Sequence, residues 1–210
     1  MTQREIQVRD AFLVQLSRGL ERRVAALGTC RCRGLDQLRN FSRELSIICG
    51  DEQALKPRRQ PMELGDWIGG VVRHWGKRFA KHPGIRVSQT GDTRGAFDPA
   101  LLESVVAELL SNALKYGGAN EVQVQIEGGP KSIRITIADR GPGLGPDPRR
   151  GRRFARGTRA RKSGGFGIGV WLTRRIVRAH GGRFRLASPE SGGTRAIVEL
   201  PRRSRVHSRA

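Results

Sequence analysis

The chain has 210 residues, with 40 basic against 19 acidic side chains and a formal charge of +21, which suits one ordinary domain with a small appendage. A hydrophobic share of 37% supports a sizeable core. With only 5% aromatics, Leu, Val, Ile and Ala must fill it. The charge points to an anionic partner such as a nucleotide, a nucleic acid or an acidic protein surface. Only six of the basic residues are lysine, so a compositional drift toward arginine also accounts for it. No nucleic-acid motif or aromatic-interleaved basic stretch is present, and nucleic acid is not the expected partner. The spacing of Cys30, Cys32 and Cys49 does not suit a zinc knuckle. No apolar run is long enough to span a bilayer, and the polar stretch Met1–Asp10 has no signal-peptide pattern. A soluble cytoplasmic protein without a membrane association is expected.

Along the chain, apolar residues from Ile6 to Leu27 fall at helical spacing and stop at Gly28; Leu35 to Ile48 repeat the pattern and stop at Gly50. The connection is short, so residues 1–50 are expected to form an antiparallel helical hairpin, too small to bury its apolar face alone, that dimerises with itself or another chain through residues 3–49 or packs on the next domain. Residues 51–61 read as a linker. A helix is expected over 64–80, a strand over 84–90, and a long helix over 99–116 opened by Asp98 and Pro99. Alternation in Val122, Val124, Ile126 and in Ile133, Ile135, Ile137 predicts strands at 121–127 and 131–138, turned by Gly128 and Gly129. Residues 140–165 form a Gly- and Arg-rich loop. A helix over 167–180 and strands at 183–188 and 194–199 complete an α+β fold: a two-layer α/β sandwich over 62–201, its mixed sheet covered by helices. Residues 202–210 read as a disordered basic tail.

Three short segments carry the chemistry. In the helix 99–116, Glu108 and Asn112 lie four apart and Lys115 three further on, so one stripe offers a carboxylate, an amide and an ammonium. Such a stripe suits a water, a magnesium ion and a phosphate; it also suits a solvated polar face with helical pairing. In Asp139-Arg-Gly141-Pro-Gly143, the carboxylate at a strand end can accept a bond from an exocyclic amine beside a flat ring, or the segment is a plain Gly-Pro turn. In Gly164-Gly165-Phe-Gly167-Ile-Gly169, alternate glycines open a helix, where free N–H groups can cradle phosphates. A dinucleotide site would require a strand and tight turn directly before the helix and an acidic residue about 20 positions later; here a long loop precedes, and no acidic residue follows until Glu190.

In order and spacing these segments resemble the ATP-binding domain shared by histidine kinases, DNA gyrase, heat-shock chaperones and mismatch-repair ATPases. Glu108–Tyr116 resembles the asparagine box, Asp139–Gly143 the first glycine box, Gly165–Gly169 the second, and Gly193-Thr194 the last. The run from Leu172 to Gly182, with Phe154-Ala-Arg156-Gly157, is similar to histidine kinases in particular. The resemblance implies ATP and Mg2+ as ligands. Asn112 would hold the metal, and Glu108 would orient water or the attacking group. Lys115 and Tyr116 would contact phosphate or ribose, and Asp139 would bind the adenine amine beside Gly141 and Gly143. Gly165, Gly167 and Gly169 would line the phosphates near Thr194, and 146–164 would form a lid bearing Arg156.

Residues 12–20 resemble the start of the family's dimerising helix, but Arg18 stands at the phosphoacceptor position and none of the four histidines lies on 3–49. A guanidinium stays protonated and cannot take the phosphoryl group. The expected activity is a histidine-kinase-type phosphotransferase of a two-component system acting on a protein partner in trans. The alternatives are a kinase-dead dimeric regulator that binds a response regulator or partner kinase, and a nucleic-acid-associated ATPase. His180, before Gly181-Gly182, reads as a helix-end histidine with a structural role.

Overall fold

The computed structural model describes residues 44, 47, 53, 55–76, 84–118, 120–144, 168–190 and 192–202. The chain divides into two units, Met1–Ala54 and Leu55–Ala210. Of the first, Glu44 and Ile47 are helical. The rest of the expected hairpin, with Arg18 and the cysteines, and Gly165, Gly167, Arg156 and the lid 146–164 lie outside the described residues.

The second unit runs β1 (Gln60–Glu63), α1 (Leu64–Gly76), β2 (Ile85–Gly91), β3 (Arg94–Phe97), α2 (Pro99–Tyr116), β4 (Val122–Gly128), β5 (Ser132–Asp139), α3 (Gly169–Ala179), β6 (Arg183–Ala187) and β7 (Thr194–Pro201). Five strands form one mixed sheet in the order β2-β4-β5-β7-β6, with β2 parallel to β4 and the other pairs antiparallel. All three helices pack on one face: α1 on α2 and β2, α2 on β4 and β5, α3 on β6 and β7. The two-layer α/β sandwich is the expected one.

The alternation that marked the strands decides which face is covered. Val122, Val124 and Ile126 of β4, Ile133, Ile135 and Ile137 of β5, and Ala196, Val198 and Leu200 of β7 are all buried. Between them Gln123, Gln125, Arg134, Thr136 and Arg195 point the other way and line an open groove on the outer face. In α2 the buried set is Leu101, Leu102, Val105, Val106, Leu109, Leu110, Ala113 and Leu114, a stripe wide enough to touch both the sheet and the neighbouring helices. Each large aliphatic side chain so buried contributes roughly 1.5–3 kcal/mol before conformational entropy is set against it.

The structure departs from the sequence expectation in two places. Residues 60–63, placed in a linker and at a helix approach, form β1, which pairs with the unexpected β3 in a separate two-stranded sheet. The helix expected over 64–80 is present over Leu64–Gly76, and residues 77–80 lie outside the described residues. Arg202, assigned to a disordered tail, is held firmly: its backbone N–H donates to Lys131 O, and its guanidinium reaches Arg94 O, Gly129 O and Asp92 Oδ2.

Candidate nucleotide site

The site is built along one rod, α2. Asp98 caps its start: Oδ1 accepts the Leu101 N–H at 3.1 Å, and Pro99 occupies the first turn, where no N–H is missed. The last two turns carry Glu108, Asn112, Lys115 and Tyr116. Glu108 and Asn112 are half-buried, and the Asn112 Nδ2 donates to Glu108 Oε1 at 2.8 Å. The two residues are thus a linked, half-buried pair on one helix face, an arrangement open to a ligand and equally to plain helical pairing. With its nitrogen engaged, Asn112 keeps Oδ1 as an acceptor that takes no donor among the described residues. Lys115 is exposed one turn further on.

Glu108 points at the start of α3. A methyl group on Gly169, the first residue of that helix, would sit 1.9 Å from Glu108 Oε1, so a side chain there would push the carboxylate aside. The N-terminal end of α3 has no side-chain cap and no acidic residue of its own in the first turn. The Glu108 carboxylate therefore lies where a capping acid would, at the positive end of the helix. The second glycine segment is thus represented by Gly169 alone among the described residues, and it is brought to the asparagine segment as expected.

The other end of α2 meets Asp139. A methyl group on Gly117, the C-cap, would lie 2.8 Å from Asp139 Cβ, and one on Gly141 would lie 2.1 Å from Tyr116 O. The strand end and the helix end are in bare backbone contact, which side chains at either glycine would pry apart. Asp139 Oδ1 accepts two backbone N–H groups, from Gly141 at 2.8 Å and from Thr194 at 3.2 Å. This fixes the carboxylate and leaves Oδ2 without a partner among the described residues. Thr194 is therefore a backbone donor to the aspartate, set opposite Asp139 in the β5–β7 register.

The loop after Asp139 is stitched to the β6–β7 turn. Gly193 donates to Gly141 O at 2.9 Å, and Gly193 (φ +81°) takes a left-handed backbone that would put a methyl group 2.0 Å from Asp139 O. Ser188 Oγ donates to Gly193 O at 2.8 Å and accepts the Leu144 N–H at 3.1 Å. Gly117 and Ser188 were not among the residues singled out in the sequence. Gly117-Gly118 closing a helix was the available signal for the first; a serine before a Pro-turn gave little for the second.

His180 is fully buried and caps the far end of α3. Its Nδ1 faces Ile176 O at 2.9 Å, and its Nε2 accepts the Asp98 N–H at 3.2 Å, which sets the Nδ1-protonated neutral ring. This is a structural histidine, as expected, and it lies at the opposite end of the helix pair from Glu108.

Residues 97–204 match the family of histidine kinase-, DNA gyrase B-, and HSP90-like ATPases. The chain belongs to that family, and this part of it is a histidine-kinase-type ATP-binding domain. Among its relatives, the sensor histidine kinase CusS of Escherichia coli K12 is 31% identical over 163 residues, covering 75% of this chain and 34% of CusS. The signal transduction histidine-protein kinase BaeS of the same strain is 34% identical over 165 residues, covering 74% of this chain and 34% of BaeS. The chain thus spans about a third of the length of these relatives. Among solved structures, the mycobacterial sensor histidine kinase MprB superposes with a TM-score of 0.59 at 25% identity, covering 69% of this chain and 98% of that one. The ATP-binding domain of PrrB from Mycobacterium tuberculosis superposes with a TM-score of 0.53 at 26% identity, covering 70% and 99%.

Proposed function

We propose that this chain binds magnesium-ATP between α2, the loop after β5 and the start of α3, and transfers the γ-phosphoryl group to a protein partner in trans within a two-component system. The observation that carries this reading is the convergence on α2: Glu108 and Asn112 touch at 2.8 Å beside Gly169, and Gly141 meets the carbonyl of Tyr116 two turns along. The solved PrrB domain is described as ATP-binding, and CusS and BaeS as histidine kinases, which supports carrying the same ligand and chemistry to this chain.

The residues present fit the ligand. Asp139, with Oδ1 held by two N–H donors, offers Oδ2 to the adenine amine, and the ring would lie beside the Gly141–Gly143 backbone, which the contacts of both glycines hold in place. Asn112 offers one hard oxygen to magnesium. No cluster of three His, Cys, Asp or Glu gathers for a metal among the described residues, so the remaining ligands would be phosphate oxygens and water. Bound magnesium would neutralise charge building on the phosphates. Lys115 adds a cation beside them, and Gly165, Gly167, Gly169 and the lid's Arg156 complete the phosphate side in this proposal. The nucleophile of the partner attacks the γ-phosphorus, the bond to the β–γ bridging oxygen breaks, and ADP leaves. Glu108 orients the nucleophile and takes the proton it releases.

The absence of histidine from residues 3–49 favours the partner as acceptor, and equally a regulator that binds ATP without transfer. One incubation separates them: the full chain, γ-labelled ATP and magnesium, with and without candidate kinases and receiver proteins, which are the partners in view. Acid-labile, base-stable label on a partner is the expected result. Tight ATP binding with no labelled protein and no free phosphate would replace the kinase by the regulator, and free phosphate alone by an ATPase.

A further inference from the structure

The loop Asp139–Leu144 hangs on the β6–β7 turn at three points: Asp139 to Thr194, Gly141 to Gly193, and Leu144 to Ser188. The first two use backbone donors and acceptors and a carboxylate already assigned to the adenine side. The third depends on one hydroxyl. Ser188 Oγ spends its proton on Gly193 O at 2.8 Å and a lone pair on the Leu144 N–H at 3.1 Å, so both ends of the clamp meet on a single atom. Gly143, at φ +71°, lies between these partners; a methyl group there would sit 2.3 Å from Ser188 Oγ and 3.0 Å from Gly193 O. The hydroxyl therefore fills the space beside Gly143 and sets how far that residue stands from the turn.

From this geometry we infer that Ser188 is a positioning residue for nucleotide binding: it holds the Gly141–Leu144 backbone at the height where the ring side of the site opens, without touching the phosphate side. This rests on the ATP reading above and refines it. Ser188 itself is exposed and lies outside the buried core, so its removal leaves the packing of the sandwich alone.

The test uses the full chain as wild type, Ser188→Ala and Ser188→Thr. ATP with magnesium is titrated calorimetrically, magnesium triphosphate without a base is measured as a competitor, and the melting temperature is recorded for each. Loss of one shared hydroxyl clamp is expected to weaken ATP about five- to tenfold in Ser188→Ala. The triphosphate constant and the melting temperature should stay close to wild type, and Ser188→Thr, which keeps the hydroxyl, should restore ATP affinity. Unchanged ATP affinity in Ser188→Ala overturns the inference. So does an equal loss for ATP and triphosphate together with a lowered melting temperature, which would make Ser188 a plain structural residue. A wild type that binds no ATP overturns the nucleotide reading itself, and the inference with it.

Discussion

Single residues in this domain are set by what stands within a bond length of them. Gly169 is the clearest case. Alanine there would improve helix propensity, but its methyl group would displace the Glu108 carboxylate, whose flexible end can move at little cost to folding. Gly169→Ala is therefore expected to melt at or above the wild-type temperature while phosphoryl transfer falls at least about tenfold, because Glu108 leaves Asn112; unchanged turnover would separate Glu108 from the chemistry. In the proposed site Asn112 gives magnesium an amide oxygen, so Asn112→Ala is expected to abolish magnesium-dependent ATP binding, as read by calorimetry with and without the ion. A third residue bears on stability alone. Thr173 is buried in α3, and its hydroxyl finds no partner among the described residues. Thr173→Val keeps the shape and removes the stranded polar atom, and should raise unfolding stability by about 1 kcal/mol in a denaturant titration; a loss would mean the hydroxyl is satisfied in solution.

At the scale of elements, α2 and α3 form a pair joined at both ends. At one end Glu108 meets Gly169. At the other, Asp98 holds three segments: its Oδ1 caps α2, its Oδ2 accepts the Arg58 N–H at 2.7 Å, and its own N–H donates to His180 at the end of α3. Arg59 adds a bond to Ala179 O at 3.4 Å. Asp98→Asn keeps a good cap but swaps one of the two acceptor oxygens for a donor facing an N–H. A loss of about 1–3 kcal/mol is expected from the mismatch, read as a drop in denaturation midpoint. An unchanged midpoint would mean that the Arg58 contact carries no weight.

These elements also show what was legible beforehand. The strands β4, β5 and β7 and the helix α2 announced themselves because one face of each is apolar and the other is not, and Asp98-Pro99 marked the helix start. The pair β1–β3 did not. Each has four residues, β1 contains Pro61, β3 contains Gly95, and neither alternates in burial, so their pairing comes from tertiary context. The residues of the proposed nucleotide site were legible as types at fixed spacing. The backbone bonds that hold Asp139, and the Ser188 clamp, were not, since they join residues up to 55 positions apart and use main-chain atoms that every residue has.

On the scale of the whole molecule, the high positive charge is locally balanced where it matters for folding. Asp92 sits among Arg94 and Arg202, which tie β3 and the β4–β5 turn to the end of β7. The Arg94 guanidinium first, then the Arg94 backbone N–H and Arg202, hold the Asp92 carboxyl far below its ordinary value of 3.8. A depressed carboxyl contributes stability that is complete above the unfolded value and fades as pH falls toward the folded one. Asp92→Asn should therefore be less stable than wild type at pH 7. The gap between their denaturation midpoints should narrow as pH drops from about 5 to about 2. A constant gap over that range would assign the loss to something other than this charge.

The order of strands in the sheet has a further consequence. The last described strand, β7, does not sit at the margin but is inserted between β5 and β6, and it supplies the Thr194 amide that fixes Asp139. A nascent polypeptide that has left the ribosome only as far as α3 already carries every side chain of the asparagine stripe, yet it lacks the strand that covers β5 and the second of the two N–H groups that hold the aspartate. Synthesis must run past Pro201 before a nucleotide can meet a finished binding surface, so early termination yields a chain that holds the chemistry and cannot assemble it.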